Sequence, residues 1–367
     1  MEKTVSTESL TGSSTVNNES SSLLKRDSGE LDNRSLFIGV GFALLFAVST
    51  TLSIPCLQLL GAHTVQPMEL LFYGFLAHLL TSVPVWGVCW GRLKKLEPDQ
   101  AKWFTVAALC NGMSTSLFYM SAETLPSGVV GALGQGSLLL LSIIITVALD
   151  RHISKALMAA TAVCVVGLVL YLISVTYYDP VVVIPLPSVN ISHDPLLIGT
   201  QKRNVLTSFH PSMSYILLVL SSLLYIGANF IMHRKLSQAS FSKVLLFFPV
   251  VGFLVATILL FLLTTPVWTL DLSAPRHLLP FIGFIVLFDI CGVSLYASWM
   301  RTPPPVFSLI AAGSIALLVL LQYVIKVPEI QSGHPDALEI IGAILILVAN
   351  AIGAIGELDF KTCVRQG

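Results

Sequence analysis

The residue best placed to do chemistry in this sequence is a carboxylate in the middle of an apolar run. Asp289 lies within Leu278 to Met300, about eleven residues from either end. At 1.5 Å rise per residue this is roughly 16 Å from each end of a helix. A charge at that depth in a bilayer costs at least a few kcal/mol unless it is paired, hydrated or protonated, so it invites proton exchange or a cationic ligand. The alternative is a hydrogen-bonded Asp that locks two helices together. Asp289, Gly292 and Tyr296 follow i, i+3, i+7 spacing and share one helical stripe. His78, in Leu76-Ala77-His78-Leu79, sits near the middle of another apolar run. It could titrate near neutral pH or pair with Asp289, and a satisfied core histidine is the plainer reading. Asn111, Ser114, Gln135, Asn229, Gln322 and Asn350 are further polar groups at depth. Each suits either a solute path or an interhelical hydrogen bond.

The elements that must carry these residues are membrane helices. Of 367 residues, 54% are hydrophobic and 11% charged, with a mean hydropathy of +0.83, against about 25% charged in an average soluble domain. Apolar runs long enough to span a bilayer are Leu36 to Leu60, Met68 to Trp90, Trp103 to Ala122, Ser127 to Leu149, Ile153 to Val175, Met213 to Met232, Ser242 to Leu263, Leu278 to Met300, Pro304 to Ile325 and Asp336 to Ile355. The expectation is an all-α polytopic membrane protein of ten spans. Placing both termini in the cytosol puts 16 of the 20 Lys and Arg on that side, as the positive-inside rule asks. Asn190-Ile191-Ser192 then falls in a lumenal or extracellular loop, where Asn190 is an expected glycosylation site. Equal numbers of acidic and basic residues give no case for nucleic acid as a partner. Six dispersed cysteines without C-x-x-C give none for a metal or a disulfide framework. No cofactor is expected, and no H-E-x-x-H, G-x-S-x-G or Walker A motif points to an enzyme.

Sliding the chain by 177 residues pairs Tyr119 with Tyr296, Ser121 with Ser298, Pro126 with Pro303 and Gly136 with Gly313, and turns the Asp289 stripe into Gly112, Thr115 and Tyr119. A shift of 175 brings Gly167 onto Gly342. The third, fourth and fifth spans thus resemble the eighth, ninth and tenth. Five spans are odd, so the second copy enters from the opposite side. The chain divides into a disordered cytosolic tail (1–35), a first five-helix repeat (36–175), a lumenal or extracellular loop (176–212), a second five-helix repeat (213–358) and a short cytosolic tail (359–367). Inverted repeats place a binding site near the midplane and rock around it.

Certain residues carry a resemblance: Phe118-Tyr119, the Asp150-Arg151 turn, Gly167, Gly342-Ala343-Ile344 and the Ala349 to Ile355 stretch. In these the chain resembles the drug/metabolite transporter superfamily, EamA type, and within it solute carrier family 35, subfamily G. The resemblance implies a carrier of small solutes. The chain departs from the pattern at Gly74, where similar proteins often have Arg, and at Ser137, where Pro is common.

The function expected is secondary-active transport of a small polar or organic solute by alternating access, with protons as the candidate coupling ion. The candidate pathway residues are Asp289, Tyr296, Tyr119, Thr115, His78 and Asn111. The competing reading is a non-transporting regulator or scaffold that keeps the fold and binds other membrane proteins. The two differ in that only a carrier needs a polar cavity at the midplane. In the tail, Glu19-Ser20-Ser21-Ser22-Leu23-Leu24 has the form of an acidic dileucine signal. Glu19, Leu23 and Leu24 would engage sorting adaptors and direct the chain to endosomes or lysosomes, with the Golgi and plasma membrane as other destinations.

Overall fold

The computed structural model describes residues 33–62, 65–93, 97–125, 129–131, 133–134, 143, 155–178, 211–236, 239–263, 268–317, 319 and 337–366. Among these residues no strand occurs. The helices run α1 (Asn33–Ala62), α2 (Pro67–Leu93), α3 (Pro98–Thr124), α4 (Lys155–Tyr178), α5 (Pro211–Lys235), α6 (Phe241–Leu263), α7 (Pro275–Trp299), α8 (Pro304–Ala312) and α9 (Ala337–Gln366). Helical residues at 129–131 and 133–134 fall between α3 and α4, and 314–317 continue after α8. Every run expected to span therefore contains described helix.

Five of these helices open on proline, whose fixed φ suits the first helical position and whose missing N–H would have no partner there. Pro55, Pro84 and Pro249 lie well inside α1, α2 and α6, as membrane helices tolerate because neighbours and side chains satisfy the freed carbonyls. Hydroxyls follow the same economy. Ser49, Thr51, Ser82, Ser116, Thr161 and Ser294 each donate to the carbonyl four residues back.

The protein is an integral membrane protein. Its surface carries large apolar side chains on face after face, among them Val88 (88% exposed), Leu279 (77%), Phe37 (75%) and Leu262 (74%). Its interior holds Asn111, Ser114, Asn229 and His78, each 3% exposed or less. That inverts the polarity of a water-soluble domain and is stable only with hydrocarbon outside. Six described helices are long and apolar enough to cross a membrane: Ser35–Gly61, Pro67–Val88, Lys155–Ser174, Met213–Lys235, Phe241–Leu263 and Pro275–Trp299. The third expected span, α3, falls short of that hydropathy because it carries Asn111, Ser114, Thr115, Ser116 and Ser121. The last helix runs on to Gln366 through residues expected as a tail. Glu357 and Lys361, four apart, favour helix there beyond the apolar stretch.

The packing is cross-chain. α1 lies along α7, α3 along α5 and α6, α2 along α6, and α4 along α9. In the α4–α9 contact a Cβ on Gly167 would stand 2.8 Å from the Gly342 carbonyl, and one on Gly342 2.7 Å from the Gly167 carbonyl. Both positions need glycine for the backbones to approach so closely. Two apolar clusters form the core. One gathers Ile54 to Leu60, Met68 to Phe75, Leu117 to Leu125 and Phe284, and extends into α4, α8 and α9. The other gathers Phe46, Phe104 to Ala108, Tyr225 to Leu236, Val244 to Phe248 and Leu295 to Trp299. Along α1, α2, α3, α5 and α7 they occupy opposite ends.

A latch ties the connection before α7 to the start of α2. The buried Glu69 carboxylate accepts from Thr269 N at 2.9 Å, Thr269 Oγ1 at 2.7 Å and Leu270 N at 3.2 Å. Gln66 N donates to the same Thr269 hydroxyl. Glu69 also sits in the first turn of α2, where the helix dipole favours an anion. Beyond it Asp271 accepts from the hydroxyl and backbone N–H of Ser273. These two bonds hold its carboxyl below the usual range.

Candidate functional site

A cavity of about 80 Å³ lies between the two core clusters, bounded by α1, α2, α3, α5, α7 and Gly134. Its wall is mostly rings, with Phe46, Phe75, Phe118 and Phe288 beside Tyr119, Tyr225 and Tyr296. Phe46, Tyr225 and Phe288 project from near the middle of α1, α5 and α7, whereas Phe118, Tyr119 and Tyr296 come from the C-terminal parts of α3 and α7. The packing is by edges and tilted faces. Phe75 meets Phe288 edge-on at 5.0 Å between centroids, and Phe248 backs Tyr296 at 4.9 Å.

Polar side chains reach the wall from α1, α2, α3, α5 and α7. Thr115, Tyr119, His78, Asn111 and Tyr296, all expected from the sequence to line a path, do line this cavity. Asp289 does not. Its Oδ1 lies 2.5 Å from His78 Nδ1 and accepts from the Thr81 hydroxyl at 2.9 Å. His78 therefore stands between the acid and the cavity. The imidazole is 1% exposed, whereas the Asp289 side chain keeps 22% of its surface exposed, beside the exposed Thr81. His78 can stand there because residue 292 is glycine. A Cβ at Gly292 would come 2.9 Å from the imidazole Cε1 and Nε2.

The contact commits Nδ1 to the carboxylate and leaves Nε2 toward the cavity; in the tautomer with its proton on Nδ1, Nε2 is an acceptor. That Nε2 is buried without a hydrogen-bond partner, as is Oδ1 of Asn111. The Asn111 amide nitrogen meanwhile donates to Tyr296 Oη at 3.4 Å. Two buried acceptors left open on one cavity wall are costly unless something occupies the space, since a lost partner is worth about 1–3 kcal/mol.

The remaining hydroxyls fasten helices. Ser114 Oγ donates to the Ser221 carbonyl and Ser221 Oγ to the Ser114 carbonyl, both at 2.8 Å, clipping α3 to α5. Across the cavity Thr50 Oγ1 lies 3.1 Å from Cys291 Sγ, joining α1 to α7. Tyr119 Oη pairs with Ser53 Oγ at 2.9 Å, and Trp299 Nε1 donates to Tyr225 Oη at 3.0 Å. Sequence reasoning had not singled out Ser221, Thr50, Ser53 or Tyr225. Their depth in apolar runs was the available signal. Of the other polar residues at depth, Asn350 packs on Gly313, away from the cavity. Gln135, Gln322, Asn190, Glu19, Leu23 and Leu24 lie outside the described residues. Among the described residues no group of His, Cys, Asp and Glu could hold a metal ion.

No family model and no curated protein matches the chain. Among solved structures it is similar to one described as "Crystal structure of protein", with a TM-score of 0.60 at 13% identity. The match covers 88% of this chain and 98% of that one. At that identity the likeness is one of fold.

Proposed function

We propose that the protein is a secondary carrier of a small solute, with the ring-walled cavity as its binding site and alternating access as its mechanism. The observation that carries this reading is the midplane cavity with two open acceptors, His78 Nε2 and Asn111 Oδ1, on its wall. A scaffold has no use for such a site. The core clusters above and below it act as the two barriers, one of which must part for the solute to enter from either side.

Two inverted five-helix repeats would supply the rocking halves, and the packing supports them. Exchanging each span with its counterpart five spans on turns the α1–α7 contact into the α5–α3 contact, and leaves α2–α6 and α4–α9 unchanged. The Gly167–Gly342 approach is reciprocal, as expected at a two-fold axis. The clips correspond as well: Ser114 shifted by 177 residues is Cys291, and their partners Ser221 and Thr50 occupy like places on α5 and α1. On this reading the chain has ten spans, cytosolic termini and the solute carrier 35G resemblance noted above, with neither catalytic nor cofactor chemistry.

The test is untargeted metabolomics on sealed vesicles with the wild type and with Thr115→Trp, which fills the cavity. A small solute that accumulates only with the wild type, at equal protein levels, is the expected result. No solute distinguishing wild-type vesicles from empty ones would favour the scaffold.

A further inference from the structure

Resting on the carrier reading, we infer that the solute is a small protonated amine, bound between the aromatic wall and the Asp289–His78 pair. The charge on the site is one-sided. Among the described lining residues there is no Lys or Arg, so a phosphate, sulfate or carboxylate would enter without a counter-charge. The titratable groups around His78 are Asp289, Cys291 and Tyr296 on α7, Tyr119 on α3 and Tyr225 on α5. Asp289 is the one acid directly behind the wall.

The hydrogen-bonding capacity points the same way. Both partnerless atoms, His78 Nε2 and Asn111 Oδ1, accept, so the occupant must donate. An ammonium brings three donors and no acceptor. Seven aromatic rings face the same space, and ring faces attract a cation that has left water. At about 80 Å³ the space holds roughly two or three waters' worth of ligand, which fits an ammonium group on a short chain.

Three probes of matched chain length separate the chemistries: ethylamine, ethanol and acetate, titrated against the full chain in nanodiscs at pH 8 by ligand-observed NMR. Ethylamine should bind at least about tenfold tighter than acetate or ethanol, equivalent to 1.4 kcal/mol. Asp289→Asn should erase that preference. Ethanol or acetate binding as well as ethylamine would overturn the amine assignment while leaving the carrier untouched. Ethylamine binding that persists in Thr115→Trp would remove the cavity as the site and the carrier reading with it. Should Asp289→Asn fail to insert, the wild-type order of the three probes decides alone.

Discussion

His78 owes its importance to what it touches on each side. One ring nitrogen is fixed by Asp289 at 2.5 Å and the other opens on the cavity without a partner. One residue thus links the acid to the cavity. His78→Phe keeps a ring of similar bulk but removes the acceptor. Amine binding should weaken about tenfold or more in His78→Phe, whereas His78→Gln, which keeps an acceptor, should retain part of it. Equal binding by the wild type and His78→Phe in NMR titrations would mean that the imidazole does not govern the site. Asp289 and His78 were legible in the sequence because depth is countable along an apolar run. Which of them faces the cavity was not. The stripe of Asp289, Gly292 and Tyr296 shows one face of α7 but not how far around it the cavity reaches: Gly292 and Tyr296 line it and Asp289 does not, so the order Asp289, His78, cavity emerges only from the packing of α2 on α7. The Ser114–Ser221 and Thr50–Cys291 clips were hidden for the same reason.

At the scale of the elements, the closest contact is also the most exposed to test. Gly167 and Gly342 each lack room for a methyl group against the other's carbonyl. Gly342→Ala must push α9 off α4, and overpacking of this kind costs about 1–3 kcal/mol. Its melting temperature in nanodiscs should fall clearly below that of Gly41→Ala, since Gly41 has open space around its Cβ position. Comparable melting would show that the two helices part freely. The Glu69 latch makes a different prediction. Glu69→Ala strands three donors from Thr269 and Leu270, at about 1–3 kcal/mol for the group. It should release the segment that brings Trp268 against Phe72 and Tyr73. Protease cleavage or cysteine labelling near Trp268 should then be faster than in the wild type, and an unchanged rate would assign the closure to the aromatic stack. The helix limits were readable to within a few residues where proline marks the start. They were less so at α8, where the expected span carries a turn at Gly313, and at α9, where charged residues keep a helix going after the apolar run ends.

Across the whole molecule, the two ends are chemically unlike, and this fixes the orientation to be tested. At one end Lys102 and Lys235 stand over the Trp103 ring, at 5.9 and 5.4 Å from its centroid. There too Lys243 donates to Gln100, and Arg301 lies over Phe42. A tryptophan with cations around it suits the level of the headgroups, and the proposed topology makes this end the cytosolic face. At the other end the polar groups are Glu69, Thr269 and Asp271, held to one another and to backbone. The same orientation puts the segment carrying Glu19, Leu23 and Leu24 in the cytosol, within reach of sorting adaptors. Replacing both leucines by alanine should shift the protein to the cell surface, as seen by surface biotinylation, and an unmoved protein would make the motif accidental. In the proposed ten-span topology Asn190 falls in the lumen, five spans after the N-terminus. Glycosidase should therefore raise the gel mobility of the wild type and leave Asn190→Gln unchanged, while an N-terminal tag in sealed organelle vesicles with the cytosolic face outward should be cut by added protease. A tag protected in those vesicles, together with an unglycosylated Asn190, would reverse the orientation.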